Sequence, residues 1–422
     1  TKTIDIYGNI KSGSNAGAWV ANIDASGTGA VTGSTVDATA LDLQTITLGS
    51  AALAAAAGVS PDNANVIAGA SLVKVGSFNF TSQYSSFTVD QIAVKVPANA
   101  ATSITSVTLR YPNASGVSTD STATLALSSG SEVYSTATFS SLTFYIPADT
   151  TKKLDVYVSL ATIASGATSG AAVSVVLGDD GGYRNMNSAG TVSTNLASGD
   201  LNSAGTSGKG TMYVRKSIPT ISSTPITTTL AEGTDQVLGR VTVTADAAGD
   251  VDWGSMVFTL NKTSALTIGA TTTVKLWSGS NSIAGTFATT TGDLLGGLDS
   301  CQRVTTCRLH FRPTTVETIT AGPGGSKTYE LRGTVGGTAA GNNSIDVSIA
   351  NPQTTASSTA VFSSAAGAQG DSTAASFGWS DWSDLTDHAA GATSASAADW
   401  MGDYLIKTLP MTIGTRSVSI NT

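Results

Sequence analysis

Histidine, serine and cysteine are the side chains that most often carry nucleophilic catalysis, and this sequence offers few of them in a usable pattern. The only two histidines are His310 and His388. His310 stands between Leu309 and Phe311 in an alternating segment, which predicts that it faces outward from a strand. No serine lies in a G-x-S-x-G turn that is followed by an acid and a histidine in the required order. The sequence therefore predicts no catalytic residue and a protein that is not an enzyme.

The two cysteines, Cys301 and Cys307, stand just before an apolar segment at 309–313. A disulfide between them would close a short loop, and such a bond suits a Thr- and Ser-rich β protein in an oxidising compartment. On the chain-entropy model this loop contributes about 2 kcal/mol. The alternative is two independent small core residues. Zinc is disfavoured because a zinc site needs four ligands, and neither histidine stands near a matched pair.

Carboxylates are densest towards the end of the chain, at Asp381, Asp384, Asp387, Asp399 and Asp403. Oxygen-rich loops can bind calcium, and Asp381, Asp384 and Asp387 are the weak calcium candidates here. Their spacing is not that of an EF-hand loop. The alternative, which we favour, is a set of solvated turns where Asp suits the local backbone, so the sequence predicts no cofactor.

Aromatic residues gather in the same region, at Trp379, Trp382, Trp400 and Tyr404, in a chain with only 6% aromatics. Aromatic faces stack on carbohydrate, so these four are candidates for a glycan platform. A local core or a contact with another subunit is the favoured alternative, because an exposed tryptophan cluster lowers solubility unless a partner covers it.

The charge composition disfavours nucleic acids and anionic membranes as partners. The 422 residues carry a net charge of −8, and only 12% are charged. Nucleic-acid binding needs clustered Lys and Arg, and no such cluster exists, so nucleic acid is not an expected partner. Anionic membrane surfaces are disfavoured for the same reason. No apolar stretch approaches the roughly 20 residues of a spanning helix, which predicts no membrane span in this chain.

Strand-forming segments must position all of these residues. Runs of five to eight residues rich in Val, Ile, Thr, Phe and Tyr recur along the chain between Gly, Ser, Asn and Asp turns. Their strict alternation is typical of antiparallel sheets with one buried face. Two such sheets stacked face to face form a sandwich. The sequence therefore predicts an all-β protein of tandem antiparallel, immunoglobulin-like β-sandwich domains.

An internal repeat sets the expected domain boundaries. The pattern lysine, any residue, apolar, acid, apolar begins at Lys2, Lys152 and Lys327, and an alternating strand follows each copy. Only the second and third copies have matching strands before them, at 142–147 and 309–313. We expect a partial sandwich or donor-strand segment at 1–40, whose opening strands are not in this chain, and sandwich repeats at 41–218 and 219–422. The second repeat carries the tryptophan-containing C-terminal region.

Several phrases resemble a known group of proteins: IAGA at 67–70, MYVRKSIPT at 212–220, VTADAAGDV at 243–251, WSD at 379–381 and ADWMGDYLIKTLP at 398–410. Together they are similar to large cell-surface β-repeat proteins encoded by small uncultured bacteria of the candidate phyla radiation. The resemblance covers the chain from about residue 50 onward. It implies exported, S-layer-like or filament-forming structural proteins, and it implies no catalytic residues.

These features predict a structural subunit of an extracellular filament or surface lattice, with copies of itself as partners. The orphan strands at 1–40 present a sheet edge, which invites head-to-tail strand addition with a neighbour. The predicted subunit contacts are Ile4, Ile6, Ile10, Met411, Ile413, Val418 and Ile420. The alternative is a monomeric adhesin or glycan-binding surface protein that contacts glycans or a host cell through the C-terminal tryptophans.

Overall fold

The computed structural model describes residues 5–9, 17–128, 133–178, 182–196, 199–203, 209–269, 273–289, 305–337, 343–356, 375–383 and 400–418. Nearly all of its regular structure is β. Among the described residues the exceptions are one turn of helix, α1 (Ala98–Ala101), and a 3-10 turn at Ile163–Ser165. The all-β prediction is confirmed.

The N-terminal strands form two small ribbons: β1 (Gly17–Trp19), β2 (Asn22–Thr28), β3 (Thr35–Asp42) and β4 (Ile46–Leu48). β1 pairs with β4, and β2 with β3, each pair antiparallel and two strands wide. Residues 5–9 are the described part of the strand predicted at 2–10, and they form no strand. Ile6 and Tyr7 are exposed there, and a strand without a partner or a covered face is not stable in water.

The first sandwich contains fifteen strands: β5 (Ala52–Ala57), β6 (Ala64–Ile67), β7 (Val73–Gln83), β8 (Phe87–Pro97), β9 (Ile104–Pro112), β10 (Ser118–Ala123), β11 (Tyr134–Phe139), β12 (Phe144–Ile146), β13 (Thr151–Leu160), β14 (Ala172–Val173), β15 (Val176–Gly178), β16 (Arg184–Asn187), β17 (Val192–Ser193), β18 (Leu201–Asn202) and β19 (Met212–Arg215). One sheet has the order β10-β9-β13-β7-β5. The facing sheet has the order β17-β16-β8-β15-β18, with β11 and β12 also on β8. A third, small sheet contains the parallel pair β6–β19.

The second sandwich contains fourteen strands: β20 (Thr220–Ser223), β21 (Gly233–Thr244), β22 (Val251–Lys262), β23 (Thr267–Ile268), β24 (Lys275–Ser278), β25 (Asn281–Ser282), β26 (Gly285–Thr289), β27 (Thr306–Pro313), β28 (Glu317–Ile319), β29 (Ser326–Gly336), β30 (Asn343–Ile349), β31 (Phe377–Ser380), β32 (Trp400–Met401) and β33 (Met411–Val418). One sheet has the order β20-β21-β29-β24-β25, with β23 also on β29. The other has the order β26-β27-β22-β30-β33, with β28, β31 and β32 attached beside β22.

Alternation along the central strands builds the two cores. In β13, every second residue from Leu154 to Leu160 is buried, and the residues between them lie at the outer face. β29 repeats this pattern with Tyr329, Leu331 and Val335. Each sandwich encloses its own hydrophobic cluster, drawn from residues 55–214 and 221–413 respectively. The exact division of the chain at 40/41 and 218/219 stays a prediction.

The strand registers of the two sandwiches correspond. Val156 pairs with Gly76 in the first, and Leu331 pairs with Gly239 in the second, each beside a register shift. The predicted equivalence of Phe144 and Phe311 is wrong, although both side chains are buried. Phe144 lies on β12 and pairs with the start of β8, as β28 pairs with the start of β22. Phe311 lies on β27, which corresponds to β11, because both pair with the later half of that central strand.

Candidate functional site

His310 and Cys307 are buried on β27, whereas His388 lies outside the described residues. His310 is buried, contrary to the outward exposure that strand alternation predicted, since alternation cannot tell whether the outer face of a sheet is covered. Burial, with a smaller effect from Arg312, lowers the pKa of His310 to about 4, so its imidazole is neutral at ordinary pH. Cys301 lies outside the described residues, and its bond to Cys307 stays a prediction.

The carboxylate of Asp381 is occupied by hydrogen-bond donors rather than arranged for calcium. Asp381 is fully buried. One of its oxygens accepts from Ser169 Oγ at 2.6 Å and from the backbone N–H of Lys216 at 2.8 Å. Its other oxygen accepts from the backbone N–H and the Oγ of Ser383, at 3.2 and 2.6 Å. These hydrogen bonds disfavour calcium binding, because a metal ion would need the same oxygen lone pairs that the donors occupy.

The rest of the predicted calcium set cannot be placed. Asp384 and Asp387 lie outside the described residues. Within the described ranges, no group of three or more His, Cys, Asp or Glu side chains is arranged to hold a metal ion.

The aromatic residues proposed as a glycan platform do not form one. Trp379 and Trp400 are at most 1% exposed, and the indole N–H of Trp379 donates to the carbonyl of Gly402 at 2.8 Å. Trp382 and Tyr404 are only half-buried, but they lie on different segments of the C-terminal region. Stacking on a sugar needs an open aromatic face, and the two buried rings offer none.

Tyr404 instead belongs to a contact between the two sandwiches. Its ring packs edge-on against Tyr213, with centroids 5.8 Å apart. Asn63 Nδ2 donates to its hydroxyl, and Asn65 Nδ2 donates to its carbonyl, each at 3.2 Å. Asp381 belongs to the same contact, because it accepts hydrogen bonds from Ser169 and Lys216. We call this set, which joins 63–65, 169 and 213–216 to 381–383 and 404, the inter-sandwich joint.

A buried cation lies beside this joint. Arg215 is only 7% exposed, and its Nε donates to Asn65 Oδ1 at 3.3 Å. Burial lowers the pKa of Arg215, whereas the negative charge of Asp381 acts in the opposite direction. No sequence pattern predicts this arrangement, because its members come from distant parts of the chain and each is an ordinary polar residue by itself.

The N-terminal segment has the opposite character, since its apolar side chains face solvent. Nine of the seventeen exposed large apolar or aromatic side chains in the described residues lie between 5 and 48: Ile6, Tyr7, Trp19, Val20, Val31, Val36, Leu41, Leu43 and Ile46. Trp19 and Ile46 lie directly opposite each other across the β1–β4 ribbon and are 57% and 60% exposed. Exposed apolar side chains are therefore concentrated in this segment of the described chain.

The predicted contact residues divide between these two environments. Ile6 is exposed, whereas Ile4 and Ile10 lie outside the described residues. Ile413 is buried in the core of the second sandwich, on β33, and Met411 packs partly against it. Val418 ends β33, and Ile420 lies outside the described residues. β33 therefore completes its own sandwich, which corrects the expectation that Ile413 is available to a neighbour.

No family model and no curated protein matches the chain. It is similar to the C-terminal domain of the Streptococcus agalactiae AgI/II polypeptide BspA, with 8% identity and a TM-score of 0.16, over 70% of this chain and 95% of that one. A biofilm associated protein BSP domain has 7% identity and a TM-score of 0.20, over 70% and 55% of the two chains. The Corynebacterium diphtheriae major pilin SpaD has 13% identity and a TM-score of 0.14, over 62% and 56%. Likenesses at these TM-scores carry no argument about function.

Proposed function

We propose that the chain is a non-enzymatic structural subunit of an extracellular filament or surface lattice. Copies of the chain assemble head to tail, and the N-terminal segment adds its strands to a neighbour. The observation that carries the proposal is the exposed apolar surface of residues 5–48. The sequence resemblance to cell-surface β-repeat proteins supports a location at the cell surface. No helix in the described residues is long and apolar enough to cross a bilayer.

The N-terminal ribbons cannot cover their own apolar side chains. Each ribbon has two strands, and a two-stranded ribbon has no second layer to pack against. Burying one large apolar side chain contributes roughly 1.5–3 kcal/mol. Covering several of the nine on a neighbour therefore provides enough free energy for a specific contact after the entropic cost of association.

The glycan-binding alternative loses its structural basis. It rested on an exposed cluster of C-terminal aromatic residues, and two of the four are buried as core. An adhesin remains compatible with a surface location, but no observed side-chain arrangement favours it over assembly.

Deleting residues 1–48 tests the proposal. We expect both sandwiches to stay folded, because β5 onward contains both hydrophobic clusters, and we expect self-association to disappear. Analytical ultracentrifugation and negative-stain microscopy measure the assembly, and circular dichroism measures the fold.

A point variant supplies the matched comparison. Trp19→Ser with Ile46→Ser removes apolar surface from the β1–β4 ribbon, whereas Leu127→Ser with Met186→Ser removes comparable exposed surface from the first sandwich. Only the first pair should weaken assembly. Normal polymers of the 1–48 deletion would show that this segment is not the assembly element.

A further inference from the structure

Within the described residues, both sheets of the second sandwich end in an edge strand on the same side, where the N–H of Ile221 on β20 donates to Thr408 Oγ1 at 3.2 Å. β33 is the last strand of its sheet in the described part of the chain, and β20 is the last strand of the facing sheet. The two strands contact each other, and a groove of about 300 Å³ lies between them. Residues 223–226 and 412–415 line the groove, and Ile226 is half-buried there, whereas the side chain of Ile413 belongs to the core.

On both edge strands, every second residue directs its backbone N–H and C=O away from the sheet, where an added strand would lie. The N–H of Thr263 donates to the carbonyl of Ser344 at 3.0 Å, so the backbone N–H and C=O of Ser344 point toward β22. Because these directions alternate along a strand, the backbone groups of the next residue of β30, Ile345, point toward β33. Ile345 pairs with Arg416. Antiparallel alternation then directs the N–H and C=O of Thr415 and Ser417 away from β30.

β20 also directs a backbone N–H group away from its neighbouring strand. The N–H of Thr224 donates to the carbonyl of Arg240 on β21 at 3.4 Å, so the preceding residue, Ser223, directs its N–H away from β21. Hydrogen-bonding groups from two facing sheets therefore flank one groove, whose lining is mainly Ser and Thr with Ile226 beside them. A strand laid along β33 would satisfy the outward groups and place every second side chain between the sheets.

We infer that the β1–β4 ribbon of a second copy of this chain docks along β33 and places an apolar side chain in the groove beside β20. This inference rests on the proposed function and deepens it by naming the acceptor. Trp19 and Ile46 give the ribbon one apolar face, and the half-buried Ile226 gives the groove an accessible apolar side chain.

Charge supports this pairing between two copies. The chain has a net charge of −8, so most surfaces of two copies repel one another. Residues 17–20 and 43–48 of the ribbon contain no charged side chain, and neither do residues 223–226 and 412–415 of the groove. The two surfaces therefore approach without burying an unpaired charge, which is the condition for a stable interface core.

Photo-crosslinking locates the acceptor. Trp19 is replaced by p-benzoylphenylalanine in the full chain, which is mixed with isotopically labelled copies and irradiated, and the linked peptides are identified by mass spectrometry. We expect links between copies to peptides containing 223–226 or 412–415. The same replacement at Val31, which is exposed in the turn between β2 and β3, serves as the control and should give no such links.

A backbone variant tests the strand pairing. Thr415→Pro removes the outward N–H and leaves the bonds of β33 to β30 in place, as proline on a sheet edge permits. It should lower the association constant about tenfold, the effect of one lost hydrogen bond in a contact that excludes water, whereas Thr415→Ala should not.

The outcomes separate the inference from the proposed function. Assemblies of normal size whose links from position 19 fall elsewhere, or only within one copy, overturn the docking at β33 and leave the structural role standing. If the full chain does not self-associate, the proposed function falls and the inference with it. Should Thr415→Pro disturb folding, the crosslinks alone decide.

Discussion

At the scale of single residues, the carboxylates that suggested a metal site act as acceptors for protein donors. Asp403 is fully buried and accepts from the backbone N–H groups of Gln353, at 3.1 Å, and Ser376. It ties the segment before β31 to the segment after β32. Asp381 does the same between the two sandwiches. Both residues were predicted from sequence as solvated turn residues, and burial overturns that expectation for each.

Burial raises the pKa of Asp403 to about 6, despite the backbone donors that lower it. The native protein therefore holds this proton more tightly than the unfolded chain, in which an aspartate ionises near 4. The stabilising contribution of this group is fully present below about pH 4 and is lost as pH rises to about 6, a change of about 3 kcal/mol.

Asp403→Asn should remove that pH dependence, because an amide does not ionise. Urea unfolding of both proteins at several values between pH 4 and pH 7 measures the free energy of unfolding. The difference between the two proteins should change across this window and level off above it. Parallel curves for wild type and variant would show that Asp403 does not titrate there.

At the scale of elements, two glycines allow β33 and β21 to approach closely across the second sandwich. A Cβ at Gly414 would lie 2.4 Å from the carbonyl oxygen of Leu238, and a Cβ at Gly239 would lie 3.0 Å from the side chain of Ile413. Gly239 stands at the register shift where β21 pairs with Leu331.

Gly414→Ala should therefore destabilise the protein by about 1–3 kcal/mol, because the neighbour it meets is backbone and cannot rotate away. Gly27→Ala is the matched control, since a Cβ at Gly27 in β2 meets nothing within 4 Å. Thermal melting compares the two variants with wild type. Equal melting curves for Gly414→Ala and Gly27→Ala would show that the strands separate at no cost.

At the scale of the whole molecule, the inter-sandwich joint couples two domains that each have their own core. The contact combines two donors to Asp381, a ring contact of Tyr404, and a hydrogen bond from Lys216 Nζ to the carbonyl of Trp382 at 2.7 Å. Pro219 follows at the crossing between β19 and β20. Buried polar contacts of this kind hold neighbouring domains in one orientation, which suits a subunit of a regular assembly.

Asp381→Ala should uncouple the two sandwiches, because it leaves Ser169 Oγ and the Lys216 N–H without their buried acceptor, at about 1–3 kcal/mol. Scanning calorimetry should show one transition in wild type and two in the variant. Ser383→Ala is the control, since it removes a bond within the C-terminal segment and leaves both bonds across the joint. An unsplit transition and an unchanged small-angle scattering curve for Asp381→Ala would contradict the coupling.

Patterns in the sequence predict the all-β fold class and the alternating core strands of the two repeats. Leu154, Val156 and Val158 are recognisable as core residues because strand side chains alternate with a period of two, a local property that needs no partner to be read. The same alternation placed both Phe144 and Phe311 in the core, although it aligned them one strand out of step. Alternation gives the face of a residue but not the order of strands in a sheet.

What covers the outer face of each sheet depends on tertiary contacts, which alternation along a strand does not predict. Asp381 finds its acceptor role through Ser169, 212 residues away, and Asn65 reaches Tyr404 across 339 residues. Trp379 and Trp400 are core rather than platform because β31 and β32 join the sheet beside β22. Contacts at such separations depend on how two finished sandwiches meet, and a hydrogen bond between distant polar side chains leaves no periodic pattern in the sequence from which to predict it.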